Sequence, residues 1–102
     1  WLMRWLPARA YDNGVYYVFN NPIGFDGEHL KNGNSMIIDP YGEVLSEIRS
    51  FENDVTVATL TRDKLTLAGG YRYRNARRPE LYGDILGKPH NPTLHPVWME
   101  QK

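Results

Sequence analysis

The sequence predicts an α/β fold: about four strands including a hairpin, an N-terminal helix, a short second helix and an extended C-terminal arm. Three observations carry this reading. Trp1, Leu2, Trp5 and Leu6 recur at helical spacing near the start of the chain. "VYYVFN" at 15–20 is dense in β-branched and aromatic residues. "SMIID" and "EVLSEIRS" flank Asp39-Pro40-Tyr41-Gly42, whose Asp, Pro and Gly suit the first, second and fourth positions of a type I turn.

The elements follow in order. Residues 1–13 read as a helix with a flaw at Pro7, since an interior proline costs about 3 kcal/mol unless a new first turn begins there. Gly14 offers a left-handed C-cap. Residues 15–20 read as a strand buried on both faces. The next stretch, 21–34, reads as a loop punctuated by Pro22, Gly24, Gly27 and Gly33, and loops of that length are often functional. The hairpin comes next, and "DVTVATLT" at 54–61 alternates as a third member of its sheet. Thr61 is placed to cap a short helix from Arg62, with Asp63 in its first turn and Gly69-Gly70 ending it. Arg78-Pro79 marks an extended boundary, and "ELYGDIL" at 80–86 fits one or two helical turns.

These elements make one incomplete domain, 1–102, with 84–102 as an extended tail. Two helices cannot cover the hydrophobic faces of four strands. No initiator Met precedes Trp1, which stands inside the apolar stripe. The expectation is a segment of a longer protein that self-associates through its uncovered sheet and the stripe of Trp1, Trp5 and Leu6.

Composition excludes several functions. Lys and Arg total 12 and Asp and Glu total 12, so the chain lacks the positive excess of a typical nucleic-acid module. It has no cysteine, hence no disulfide, thiolate metal site or cysteine nucleophile. No apolar run approaches the ~20 residues of a membrane span. His29, His90 and His95 are too few and scattered for a zinc site. Gly24, Gly27 and Gly33 do not have dinucleotide-fingerprint spacing, and no serine sits in a nucleophile elbow. Asp26, Glu28 and Asp39 are loop and turn carboxylates before they are an acid pair. The residues alone hold no catalytic constellation.

"RYRNARRPELY" at 72–82 supports two readings. Arg72, Arg74, Arg77 and Arg78 could grip phosphate while Tyr71 and Tyr73 stack on bases, making 71–78 an RNA- or protein-binding module. Alternatively this is an interface arm of Arg72, Arg74, Arg77, Arg78, Glu80 and Tyr82, whose arginines pair with Glu80, Asp84 and backbone carbonyls. Neutral net charge and Pro79 favour the arm.

Three stretches then carry a resemblance. "ARAYDNGVYYVFNNPIG", "GNSMIIDPYGEVLSE" and "ARRPELYG" occur in that order. They resemble the C-terminal part of carbon–nitrogen hydrolases, the nitrilase superfamily, over about residues 5–86. The matching segments are 9–13, 21–24, 33–35, 39–42 and 77–82. The resemblance implies a four-layer α-β-β-α sandwich that dimerises, and a cytoplasmic enzyme hydrolysing non-peptide C–N bonds. It further implies a cysteine nucleophile, a glutamate base and a lysine at the oxyanion, with no metal or organic cofactor. The arm points to amidases and N-carbamoylases, in the manner of β-ureidopropionase (β-alanine synthase), and so to a small amide or carbamoyl substrate. All three catalytic residues would lie N-terminal to this chain's first helix, so none is assigned here and the chain alone is expected to be inactive. A pocket wall does carry over: Asn21 stands near the family's active-site mouth, with 22–34 shaping access. Asn21 serves equally as a turn residue before Pro22.

Overall fold

The structure, a computed structural model, describes residues 1–87. Most of the tail expected to be extended, with His90 and His95, lies outside them.

Helix α1 spans Leu2–Asn13, and Pro7 does not interrupt it. Gly14 ends it at φ 60° and ψ 45°. The Val15 amide bonds the Ala10 carbonyl at 3.2 Å and the Gly14 amide bonds that of Tyr11 at 3.1 Å, closing the last turn in a Schellman-type cap. Leu6 and Ala10, four apart, are buried, and Leu2 packs beside them. The expected stripe is therefore split. Leu6 is core, and it cannot serve the self-association expected of it, whereas Trp1 is 93% exposed. Trp5 meets Phe19 edge-on, with ring centroids 6.3 Å apart.

Strand β1 is Tyr17–Phe19, β2 is Ile23–Asp26, β3 is His29–Asn32, β4 is Met36–Ile38 and β5 is Val44–Glu47. A three-stranded antiparallel sheet has the order β1-β4-β5, while β2 and β3 pair apart from it. In the main sheet Phe19 lies opposite Met36, and Tyr17 opposite Ile38. These residues pack on Leu6 and Ala10 and form the core. The neighbouring row, Val18 opposite Ile37 opposite Ser46, belongs to the other face. Val18 is 64% exposed, which corrects the expectation that this strand is buried on both sides. Among the described helices, α1 alone packs on the sheet, on one face.

Two further expectations are corrected. The 21–34 stretch is a hairpin rather than a loop. Gly27, first of the two residues linking β2 to β3, takes φ 61°, as tight hairpin turns require. The glycines that read as loop punctuation are strand and turn positions. Residues 54–61 are not a strand. They run without turn or bend, and none joins a backbone ladder among the described residues. The third strand of the sheet is β1 instead. A hydroxyl contact between Thr56 and Ser46 holds the segment against β5.

Helix α2 is Arg62–Leu67. Thr61 holds the N-cap position without a side-chain capping bond, and Tyr16 ties down its backbone. The Thr61 amide donates to the Tyr16 hydroxyl at 2.9 Å, and that hydroxyl donates to the Thr61 carbonyl at 3.0 Å. The chain turns at Ala68, whose ψ is 144°. Gly69-Gly70 then starts a helix rather than ending one: α3 runs Gly69–Asn75 and takes in the first arginines. A 3₁₀ turn at Pro79–Leu81 and a short helix α4 at Gly83–Leu86 follow. The fold is thus mixed α/β with antiparallel sheets. No described helix is long and apolar enough to cross a membrane.

Candidate functional site

A cleft of about 330 Å³ opens where β1 ends, β4 begins and the 52–54 segment passes. Its polar lining includes Asn20, Asn21, Asn34, Ser35, Glu52 and Asp54. Local chemistry explains its shape. Gly33 and Asn34 both have positive φ, 69° and 61°, and turn the chain from β3 into β4. Asparagine tolerates that region better than most side chains.

Asn21 and Ser35 clasp the cleft's edge. The Ser35 hydroxyl oxygen accepts the Asn21 amide at 2.9 Å. It also lies 3.2 Å from the Asn21 carbonyl and 3.3 Å from Asn20 Oδ1, either of which can take its single proton. The Asn21 side-chain NH₂ donates to the Gly33 carbonyl at 2.6 Å and reaches Asn32 Oδ1 at 3.4 Å. Ser35 is tied in turn to β5, its carbonyl accepting the Ile48 amide at 2.9 Å. The base of the β2–β3 hairpin is therefore fixed to the main sheet through these two side chains. Asn21→Ala should cost about 1 kcal/mol. Amide exchange across 23–32 should quicken while α1 keeps its protection, and equal acceleration in both would contradict the clasp.

Asn21 thus lines the cleft, but its NH₂ is spent on holding the hairpin. Its Oδ1 receives no hydrogen bond among the described residues. The arm candidates lie elsewhere, for none of them lines the cleft. Arg72 and Arg74 are on α3, where the Arg74 guanidinium sits 5.9 Å from the Tyr71 ring centroid. Arg77 Nε donates to the Arg74 carbonyl at 3.1 Å. Arg78 Nε bonds Glu80 at 2.7 Å in the open, and this guanidinium holds the Glu80 carboxyl below its ordinary value. Tyr82 ends the 3₁₀ turn. Asp84, expected to share in this pairing, forms no ion pair among the described residues.

Sequence reasoning missed two groups. Ser35 fell in the 33–35 match and opened a strand, but nothing in the sequence assigned its hydroxyl the role of holding the hairpin. The Asp39–Lys64 pair was hidden by 25 residues of separation. Asp39 is 1% exposed. Its Oδ1 accepts the amides of Tyr41 and Glu43 at 2.9 and 3.0 Å, and its Oδ2 accepts Lys64 Nζ at 2.6 Å.

The cleft offers amides, a hydroxyl and carboxylates for hydrogen bonding. It holds no cysteine, and His29 does not line it. Among the described residues, no group of three or more His, Asp or Glu is placed to hold a metal.

Comparison with known proteins locates this arrangement. A family model described as carbon–nitrogen hydrolase matches residues 1–69. A protein named hydrolase in agr operon, from Staphylococcus lugdunensis, is 38% identical over 52 residues, covering 51% of this chain and 22% of the relative. Its namesake from Staphylococcus aureus is 35% identical over 52 residues, 51% of this chain and 20% of the relative. A glutamine-dependent NAD(+) synthetase from Aquifex aeolicus is 33% identical over 55 residues, 54% of this chain and 10% of the relative. The chain matches about a fifth or less of the length of these two last relatives, and 22% of the first.

Proposed function

This chain belongs to the carbon–nitrogen hydrolase family, and from that premise we propose that it is the C-terminal segment of an enzyme cleaving non-peptide C–N bonds in amides or N-carbamoyl compounds. The 1–69 match supports the reaction class. "ARRPELYG" at 76–83, beyond the match, supports the amidase and N-carbamoylase side of the family. One relative's dependence on glutamine, a carboxamide, is in keeping with an amide substrate.

The observation that carries the division of labour is the absence of cysteine. In the proposed parent, a cysteine from another segment gives its proton to the glutamate, and the thiolate adds to the substrate carbonyl and expels ammonia or an amine. The leaving nitrogen takes its proton from the glutamate, and water then hydrolyses the thioester. A donor aimed at the oxyanion lowers that barrier. This chain contributes no reacting group. Its part is the polar cleft, with Asn21 and the β2–β3 hairpin forming a wall beside the substrate.

Ammonia release from ureidopropionate, simple amides and nitriles tests the proposal. The purified chain should match the blank with all three, and turnover above it would refute the assignment of chemistry to another segment. A parent carrying the cysteine should release ammonia from an amide or a carbamoyl compound. Activity on nitriles alone would overturn the substrate class.

A further inference from the structure

Asparagine or aspartate followed by glycine is chemically fragile, because glycine has no side chain to keep its nitrogen away from the preceding side-chain carbonyl carbon. The chain has three such pairs: Asn13-Gly14, Asp26-Gly27 and Asn32-Gly33. The fold treats them differently. Gly14 and Gly33 are buried and their amides are occupied, Gly14 donating to the Tyr11 carbonyl at 3.1 Å and Gly33 to that of Pro22 at 3.0 Å. The Asn13 NH₂ is held by the Arg9 carbonyl at 2.8 Å, and Asn32 Oδ1 faces the Asn21 NH₂ at 3.4 Å. Gly14 lies against the backbone of Gly70, and Gly33 against Ile23. Closing a five-membered ring at either asparagine therefore requires a local opening first.

Asp26-Gly27 has none of these restraints. Both residues are exposed, at the tip of the β2–β3 hairpin. The Gly27 amide donates to no backbone carbonyl among the described residues. A Cβ built on Gly27 meets nothing within 4 Å, so the tip stands clear of neighbouring groups. The Asp26 side chain is 79% exposed, and its ion pair with Lys31 spans 3.8 Å, a contact worth little in that setting.

We propose that Asp26 is a site of spontaneous isoaspartate formation, closed by the Gly27 nitrogen, and that the fold protects Asn13 and Asn32 from the same chemistry. With the carboxyl in its neutral form, the Gly27 nitrogen adds to Asp26 Cγ. The carboxyl hydroxyl leaves as water with the amide proton, so a Cγ–N bond replaces a Cγ–O bond and a succinimide results. Water then opens the ring. Attack at Cγ restores aspartate. Attack at the main-chain carbonyl carbon breaks its bond to the Gly27 nitrogen and leaves the chain running through Cβ and Cγ. The water lost is regained, and nothing is oxidised or reduced. One extra methylene then stands in the backbone where Asp26 pairs with His29. A two-residue hairpin link has no slack for it. Pairing frays from the tip, while the Asn21–Ser35 clasp holds the base.

Incubation of the 102-residue chain in neutral buffer, followed by peptide mapping with electron-transfer fragmentation, tests this. In the folded chain, isoaspartate at 26 should exceed the total at 13 and 32. In guanidinium chloride the order should reverse, because an unfolded Asn-Gly pair closes without first protonating a carboxyl. An isoaspartate-specific carboxyl methyltransferase should label the aged chain at 26. D26E, which must close a six-membered ring, should lose that label with unchanged circular dichroism. The aged fraction should exchange its amides faster across 24–31, and exchange equal to that of fresh chain would overturn the loss of pairing. More isoaspartate at 13 or 32 than at 26 in the folded chain would overturn the proposal. So would an Asp26 that converts only in guanidinium chloride, since the hairpin would then be holding Gly27 away from the carboxyl.

Discussion

Gly70→Ala should release α3 from α1 and lower the melting temperature by about 10–20 °C, as a loss of ~2–3 kcal/mol does in a chain of this size. The cause is a backbone crossing that leaves no room for a methyl group. Gly70 is buried. A Cβ built there would fall on the Gly14 amide nitrogen and lie 2.6 Å from both the Asn13 carbonyl carbon and the Tyr11 carbonyl oxygen. Those atoms are backbone, and they include the cap that ends α1, so no rotamer change relieves the overlap. The partner glycine is equally constrained, since a Cβ on Gly14 would lie 2.5 Å from the Tyr71 amide nitrogen and 2.8 Å from the Gly70 carbonyl carbon. Gly83→Ala is the control. A Cβ there meets nothing within 4 Å and its φ is not positive, so stability should hold or rise by a few tenths of a kcal/mol. Thermal denaturation followed by circular dichroism reads both variants. Equal melting of Gly70→Ala and wild type would show that the crossing yields without cost.

That crossing marks a boundary of what sequence discloses. Local signals were strong for α1, whose cap glycine took the left-handed conformation expected of it. They were strong too for the β4–β5 hairpin, where Asp39, Pro40 and Gly42 have turn chemistry of their own. Gly69-Gly70 misled because glycine is a helix breaker by propensity but a contact residue here, with its value set by Gly14 far back in the chain. Gly24 and Gly27 misled in the same way: one lies in β2 and the other lets its hairpin turn tightly. Residues 54–61 show the reverse error, a strand-like sequence with no strand paired to it among the described residues. β-structure is decided by pairing, and pairing is not a property of a segment. The cleft was legible at Asn21 as a position. Its occupation by the Ser35 and Gly33 bonds depends on a fold that returns β4 beside the end of β1.

Asp39→Ala should cost about 2–4 kcal/mol, the usual result of leaving the partners of a buried charged group unpaired. The variant strands the Tyr41 and Glu43 amides in the turn and removes the anion facing Lys64. It thereby loosens α2 from the β4–β5 turn, and with α2 the approach to α3. Asp39→Asn separates the two losses. An amide oxygen still accepts the turn amides, but the ion pair is gone, so a smaller destabilisation is expected. The pH dependence follows from opposite shifts. Burial pushes the Asp39 carboxyl up, but the Lys64 hydrogen bond and the Glu43 and Tyr41 amides outweigh it, leaving Asp39 below 3.8. Its contribution is therefore full above pH 3.8 and lost as pH falls through the lower folded value. The hydrogen bond from Asp39 raises Lys64 above 10.5, so that contribution is full below pH 10.5 and lost as pH rises through the folded value. Urea midpoints across the pH range should show a plateau with a shoulder at each end. In Asp39→Asn both shoulders should flatten together, because one pair produces both. An acid shoulder that persists unchanged in Asp39→Asn would assign it to other carboxylates and remove Asp39 as the anchor of the turn.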